Sequence, residues 1–165
     1  MHGNRDFLVS SGLAERCHFE LIDDPYKIRI QGQDVLLMHG DTLCTDDIEY
    51  QKFRHVVRSE QWQQDILSKS LQERIEIAKS FRDQSKKSTD EKEEDIMDVN
   101  QQETDKTFIE NNVDRIIHGH THRPAIHHRV INDHDTTRVV LGDWFETGSY
   151  LRVNDDTEFR LQTFK

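Results

Sequence analysis

An α/β fold is the expectation for this chain, and three features carry it. Short apolar runs with strand character lie toward both ends of the 165 residues. Between them, residues 45 to 105 contain no glycine or proline and repeat apolar side chains at helical spacing. The later runs are separated by turn residues at strand-length intervals. Residues 18 to 41 read as a hairpin. Tyr26, Ile28 and Ile30 alternate, Gln31-Gly32-Gln33-Asp34 turns, and Val35-Leu36-Leu37-Met38 forms a short buried strand that leaves His39 at its end. Residues 45 to 105 form a helical insertion, with Trp62, Ile66, Leu71, Ile75 and Ala78 at helical spacing. Its second half, Asp83 to Asp95, is almost wholly polar and has two readings. Ser88-Thr89-Asp90-Glu91 has the S-x-x-E capping-box form, which predicts another helix toward Ile96 and Met97, and a solvated connector is the alternative. A helix around Asp105 to Asn112 leads to a strand at Arg115 to Ile117. Further strands follow near Ala125 to Val130, Arg138 to Leu141, Ser149 to Val153 and Glu158 to Phe164, with Asn132-Asp133 and Asn154-Asp155 as turns.

Composition narrows the class. Hydrophobic and charged residues each make up 33% of the chain, a lean supply for one domain's core. A formal charge of -10 argues against nucleic acid as a partner, because such proteins gather a basic face to release counterions. It suits a cationic cofactor better. Cys17 and Cys44 are too few for a disulfide framework and form no CxxC pair, which points to free thiols in a reducing cytosol. No apolar run approaches the roughly 20 residues that span a bilayer, and no signal-peptide pattern opens the chain. The expectation is a cytoplasmic protein.

Three short motifs carry the chemistry. Gly3-Asn4-Arg5-Asp6 stands at the start, Met38-His39-Gly40-Asp41 follows the first predicted hairpin, and His118-Gly119-His120-Thr121-His122-Arg123-Pro124 follows the apolar Ile116-Ile117. Imidazole is a common ligand of divalent transition metals, and a mixed nitrogen and oxygen set points away from a structural zinc. The pair His120 and His122 alone is weak, since loop histidines are more often solvated. Three motifs in one order, each at a strand end or a glycine turn, are far more specific.

That order resembles the calcineurin-like metallophosphoesterases, whose pattern is D-x-H, G-D, G-N-[HR]-[DE], a lone H, then G-H-x-H. Gly3 to Asp6, His39 and Gly119 to His122 match the last three. The longer stretches His39 to Asp47, Ile96-Met97-Asp98-Val99-Asn100 and His118 to Pro124 are similar to the UDP-2,3-diacylglucosamine hydrolase branch, over essentially the whole chain. The resemblance implies a two-sheet sandwich flanked by helices, with the amino-terminal part missing. Residues 1–165 would then be a partial domain, and 45–105 a lipid-substrate cap within it. It also implies manganese, as two ions in the intact enzyme and at most one in this chain. One ion would take the D-x-H pair, a bridging aspartate and His122, and the other the bridge, Asn4, His39 and His120. No D-x-H occurs in the chain, and Gly142-Asp143 comes after the H-x-H loop, where the family has no ligand.

The catalytic set implied by the resemblance is Asn4, Arg5 and His120. Arg5 would donate to the pyrophosphate as charge grows on its oxygens, although a surface ion pair with Asp6 is the bland alternative. Substrate contacts fall by resemblance on Asn4, Arg5, Asp47, Ser85, Lys92 and His120, with Tyr50 nearby and Thr89 where the branch usually has asparagine. The implied reaction hydrolyses the pyrophosphate bond of UDP-2,3-diacylglucosamine to UMP and 2,3-diacylglucosamine 1-phosphate in lipid A synthesis. The chain would work peripherally on the cytoplasmic face of the inner membrane, feebly alone and better with a complementing amino-terminal segment. Two other readings stay open: a non-catalytic product, either a poorly folded fragment or a metal-binding remnant, and a metallophosphodiesterase for another nucleotide.

Overall fold

The structure, a computed structural model, describes residues 1–91, 96, 98–154 and 158–164, with the backbone alone at 84 and 86–91. The chain divides into two units, Met1–Leu43 with Val99–Lys165 and, separately, Cys44–Asp98. The expected turn at Asn154-Asp155 and the position Lys92 fall partly or wholly outside the described residues.

The first unit is built on a five-stranded mixed sheet in the order β1-β2-β3-β5-β4. Its strands are β1 (Tyr26–Ile30), β2 (Gln33–Met38), β3 (Arg115–His118), β4 (Ala125–Ile131) and β5 (His134–Val140). Strands β2, β3 and β5 run parallel, while β1 and β4 pair antiparallel at the two edges. Each antiparallel pair is joined by a two-residue turn with positive φ at both positions, Gln31-Gly32 and Asn132-Asp133. That backbone matches the right-handed twist of the strands it connects. The first turn is therefore tighter than Gln31 to Asp34, and Gln33 already belongs to β2.

Apolar residues cover both faces of this sheet. On one face Leu36, Met38 and Ile116 meet Leu43, Phe108 and Val113. Phe108 comes from α5 (Gln101–Asn111), which buries Thr104 and Phe108 four residues apart on one stripe. Helix α5 begins earlier than the expected Asp105 because Asn100 caps it, accepting from the Glu103 amide at 3.1 Å. Val35, Ile117 and Val139 form the core of the other face, where Leu151 and Phe159 also pack. Those two belong to β6 (Gly148–Val153) and β7 (Phe159–Phe164), a separate antiparallel pair. The Arg115 guanidinium also lies 4.7 Å over the Phe159 ring. A further helix, α1 (Ser11–Cys17), has no counterpart in the sequence expectation, since it is seven residues long and buries only Ala14.

Among the described residues, the second unit holds three helices, α2 (Ile48–Val57), α3 (Glu60–Ser68) and α4 (Leu71–Glu91). Phe81 of α4 holds them together, meeting Phe53 edge-on at 5.2 Å and stacking on Trp62 at 6.0 Å. The apolar stripe read from Trp62 to Ala78 is thus not one helix. It breaks at Lys69-Ser70, leaving Ile66 buried on α3 but Leu71 and Ile75 exposed on α4. The capping box also sits elsewhere. Ser88 to Glu91 lie in the last turn of α4 rather than ahead of a new helix. At its start, Glu73 accepts from the Ser70 amide at 2.9 Å while its own amide donates to Ser70 Oγ at 3.3 Å.

Candidate metal centre

The parallel strands β2 and β3 end side by side, with Met38 opposite His118. The loops that follow them therefore start from neighbouring points at the carboxyl edge of the sheet. His39 leaves β2 with its amide donating to Asp24 Oδ1 at 3.1 Å, and its carbonyl accepts from the Gly119 amide at 3.0 Å. The two loops are thus hydrogen-bonded to each other, at His39 in one and at Gly119, just before His120, in the other.

The amino-terminal loop brings the third group. Gly3 donates its amide to Asp6 Oδ1 at 2.5 Å, and His2 Nε2 donates to the Val9 carbonyl at 2.8 Å. Asp6 thus serves the loop's own turn. This closed loop lays Gly3 against the His39 ring, where a Cβ would stand 3.5 Å from Cε1. The Asn4 amide then lies between two imidazoles. Its Oδ1 accepts from His39 Nε2 at 2.8 Å, and its Nδ2 lies 3.2 Å from His120 Nδ1, which accepts. The two rings meet edge to face with centroids 5.0 Å apart.

His120 and His122 do not face the same place. Both have positive φ, 65° and 55°, a backbone state that costs a non-glycine residue roughly 1–3 kcal/mol and clusters at functional sites. The Thr121 amide closes the turn onto the Gly119 carbonyl at 2.8 Å. While the His120 ring joins Asn4, His122 Nδ1 stands 3.5 Å from Asp143 Oδ2. Asp143 belongs to the Gly-Asp pair that the motif order left without a role, and only the folded chain places it beside His122. Arg5 is exposed next to Asn4 in the sequence.

The residues present fit one divalent cation in part. With bonds of about 2.1 Å, neighbouring ligand atoms of a six-coordinate ion stand about 3 Å apart. The 2.8 Å between Asn4 Oδ1 and His39 Nε2 is close to that spacing. The 3.2 Å contact to His120 Nδ1 is made instead by the amide nitrogen Nδ2, which is a donor and not a ligand atom. A neutral amide oxygen and two imidazoles leave room for anionic ligands from elsewhere. Among the described residues, no group of three or more His, Cys, Asp or Glu stands ready to hold an ion. Asn4, His39 and His120 are the candidate ligands that the fold brings together.

The substrate positions named from sequence lie in the other unit. Asp47 caps α2 by accepting from the Tyr50 amide at 3.0 Å, so both are engaged in starting that helix. Ser85 is exposed on α4, and Thr89 belongs to the same helix. Sequence reasoning gave no role to His118 or Arg138, which lie buried beneath the loops. The available signal was an arginine inside the otherwise apolar end of β5.

Comparison with known proteins gives consistent matches. The family model for calcineurin-like phosphoesterases matches residues 2–124. The UDP-2,3-diacylglucosamine hydrolase of Chromohalobacter salexigens is 46% identical over 165 residues, covering 99% of this chain and 67% of that protein. The protein of the same name from Xanthomonas campestris pv. campestris is 47% identical over 163 residues, covering 94% and 66%. That from Coxiella burnetii is 44% identical over 165 residues, covering 100% and 68%. The chain spans about two thirds of the length of these relatives.

Proposed function

The chain belongs to the calcineurin-like phosphoesterase family, and from that premise we propose that it forms part of a UDP-2,3-diacylglucosamine hydrolase of lipid A biosynthesis. The reaction splits the pyrophosphate bond of UDP-2,3-diacylglucosamine into UMP and 2,3-diacylglucosamine 1-phosphate. The observation that carries this reading is the Asn4 amide set between His39 and His120, beside an arginine and on the loops that match the family.

Each residue then has a task. Asn4, His39 and His120 hold a divalent cation, proposed as manganese, and His122 belongs to a second. Such ions, when bound, polarise phosphoryl oxygens and supply hydroxide at neutral pH. His39 now gives its Nε2 hydrogen to Asn4, so holding a cation there requires the other neutral tautomer. Arg5 presents a planar set of donors to the pyrophosphate oxygens and strengthens its grip as their charge grows. His120 Nδ1 now accepts from Asn4 Nδ2, so holding a cation through that nitrogen requires this hydrogen bond to be released.

The helical unit supplies the substrate grip in this reading. Asp47, Tyr50, Ser85, Thr89 and Lys92 contribute polar contacts, and the exposed Ile48, Val56, Leu67 and Leu71 offer apolar surface for acyl chains. No helix among the described residues is long and apolar enough to cross a membrane. Contact with the cytoplasmic face of the inner membrane is accordingly proposed as peripheral. The two-sheet sandwich is the proposed form of the whole domain, with β6 and β7 contributing to its second sheet.

A segment carrying the family's D-x-H and G-D motifs would complete the two-ion set. The test joins such a segment from a family member to this chain and measures UMP release from UDP-2,3-diacylglucosamine with manganese. The reading expects metal-dependent hydrolysis that exceeds that of the chain alone and falls in the His39→Ala variant. Hydrolysis of simple nucleotide diesters but not of the diacyl sugar nucleotide would favour a different phosphodiesterase. No hydrolysis of either would favour a metal-binding remnant.

A further inference from the structure

Beneath the proposed cation site lies a buried polar pair that no motif assigned. His118, the last residue of β3, is 1% exposed, and Arg138 of β5 is 9% exposed. Burying an imidazole and a guanidinium at the edge of an apolar core is costly unless their hydrogen bonds are well made. Arg138 Nη1 donates to His118 Nε2 at 3.0 Å. A guanidinium has no lone pair to offer, so Nε2 must be the acceptor and Nδ1 carries the ring hydrogen. Nδ1 in turn donates to the Gly119 carbonyl at 2.9 Å.

The ring is thereby fixed in tautomer and in place, and it touches both loops that carry the proposed ligands. On one side is the Gly119 carbonyl, which also accepts the Thr121 amide at 2.8 Å and so sets the turn through His120. On the other side is Gly40, directly after His39. A Cβ at Gly40 would fall 2.6 Å from His118 Nδ1, and its φ of 106° is one that side chains rarely adopt. The backbone of His118 is itself fixed to the sheet, since the Leu141 amide donates to the His118 carbonyl at 2.8 Å.

We infer that His118 and Arg138 are positioning residues: Arg138 holds the His118 ring in one tautomer, and that ring sets the spacing between the His39 and His120 loops. The inference rests on the reading of Asn4, His39 and His120 as a cation site. Outer-shell partners that orient ligating groups often matter nearly as much as the ligands.

The test compares the full chain with its Arg138→Met, Arg138→Lys and His118→Gln variants. Nitrogen NMR of the histidine rings without metal reports tautomer and loop position, and calorimetry with manganese chloride reports affinity. Wild-type His118 is expected to show its hydrogen on Nδ1. Arg138→Met is expected to lose that preference, displace the His39 and His120 ring signals and weaken manganese binding by about tenfold or more. Arg138→Lys, which keeps one charged donor, is expected to recover part of each change. If Arg138→Met does not fold, the Lys and Gln variants carry the same comparison.

Two results would overturn the proposal. One is a wild-type His118 with its hydrogen on Nε2. The other is folded variants with a lower melting temperature but unmoved His39 and His120 signals, which would reduce the pair to a packing role. Manganese binding that ignores His39→Ala would sink the cation reading instead, and the ring signals would still decide whether the pair positions the loops.

Discussion

Asn4 Oδ1 accepts from His39 Nε2 at 2.8 Å across 35 residues of chain, and the same side-chain amide reaches His120 Nδ1 across 116. One neutral group thus organises two imidazoles, while His122, two residues beyond His120, stands instead beside Asp143. The two histidines of one short motif therefore differ in what they can do within this chain.

That difference predicts unequal losses. His120→Ala should weaken manganese binding by at least about tenfold, while His122→Ala should change it by less than about threefold, because only the first ring shares the Asn4 set. Calorimetric titration of the two variants measures both, and equal losses would show that the rings converge on one ion.

Gly40 has no room for a side chain. Its φ of 106° and the 2.6 Å approach of an added Cβ to the His118 ring combine a strained backbone with overpacking. Gly40→Ala should cost roughly 2–4 kcal/mol of stability, read by denaturant unfolding of the whole chain. A change within about 0.5 kcal/mol would mean that the loop relaxes freely.

Asn100 starts α5 by accepting from the Glu103 amide at 3.1 Å, and its own amide donates to the Leu43 carbonyl at 2.8 Å. Replacing its side chain removes the first bond and leaves the second. Asn100→Ala should lower stability by about 1 kcal/mol, and Asn100→Ser by much less, in the same unfolding measurement.

Glu73 gives α4 a pH dependence of known sign. The Ser70 hydroxyl, and after it the Ser70 amide, hold its carboxyl below the ordinary carboxylate range. A depressed acid stabilises the fold above its unfolded pKa, and the contribution is lost as pH falls through the lower, folded value. Helical circular dichroism should therefore decline at acid pH, and Ser70→Ala should remove this part of the acid sensitivity. Identical acid profiles for the two proteins would contradict the cap.

What could be read beforehand follows from range. The hairpin at Tyr26, Ile28 and Ile30 and the strands after Ile116 were legible because alternation and turn residues are local signals. So was the order of motifs that pointed to Asn4, His39 and His120, which stand together. Helix α1 was not legible, because a single buried Ala14 leaves no periodic stripe. The S-x-x-E pattern occurs at Ser70 and again at Ser88, and nothing local tells a helix start from the continuation of a helix already under way. His118 and Arg138 were hidden for another reason. Their pairing depends on β3 lying beside β5 with His118 opposite Val140 and Arg138 opposite Ile116, a register that only the folded sheet specifies.

The most direct test of the account is a manganese titration of the whole chain followed by electron paramagnetic resonance, which detects the free ion, with Asn4→Ala and His39→Ala alongside. The account predicts that the wild-type chain removes manganese from the free pool at one site and that each substitution weakens this by about tenfold or more. Binding that is equal in all three proteins, or absent from the wild type, would contradict the assignment of Asn4, His39 and His120 as a cation site.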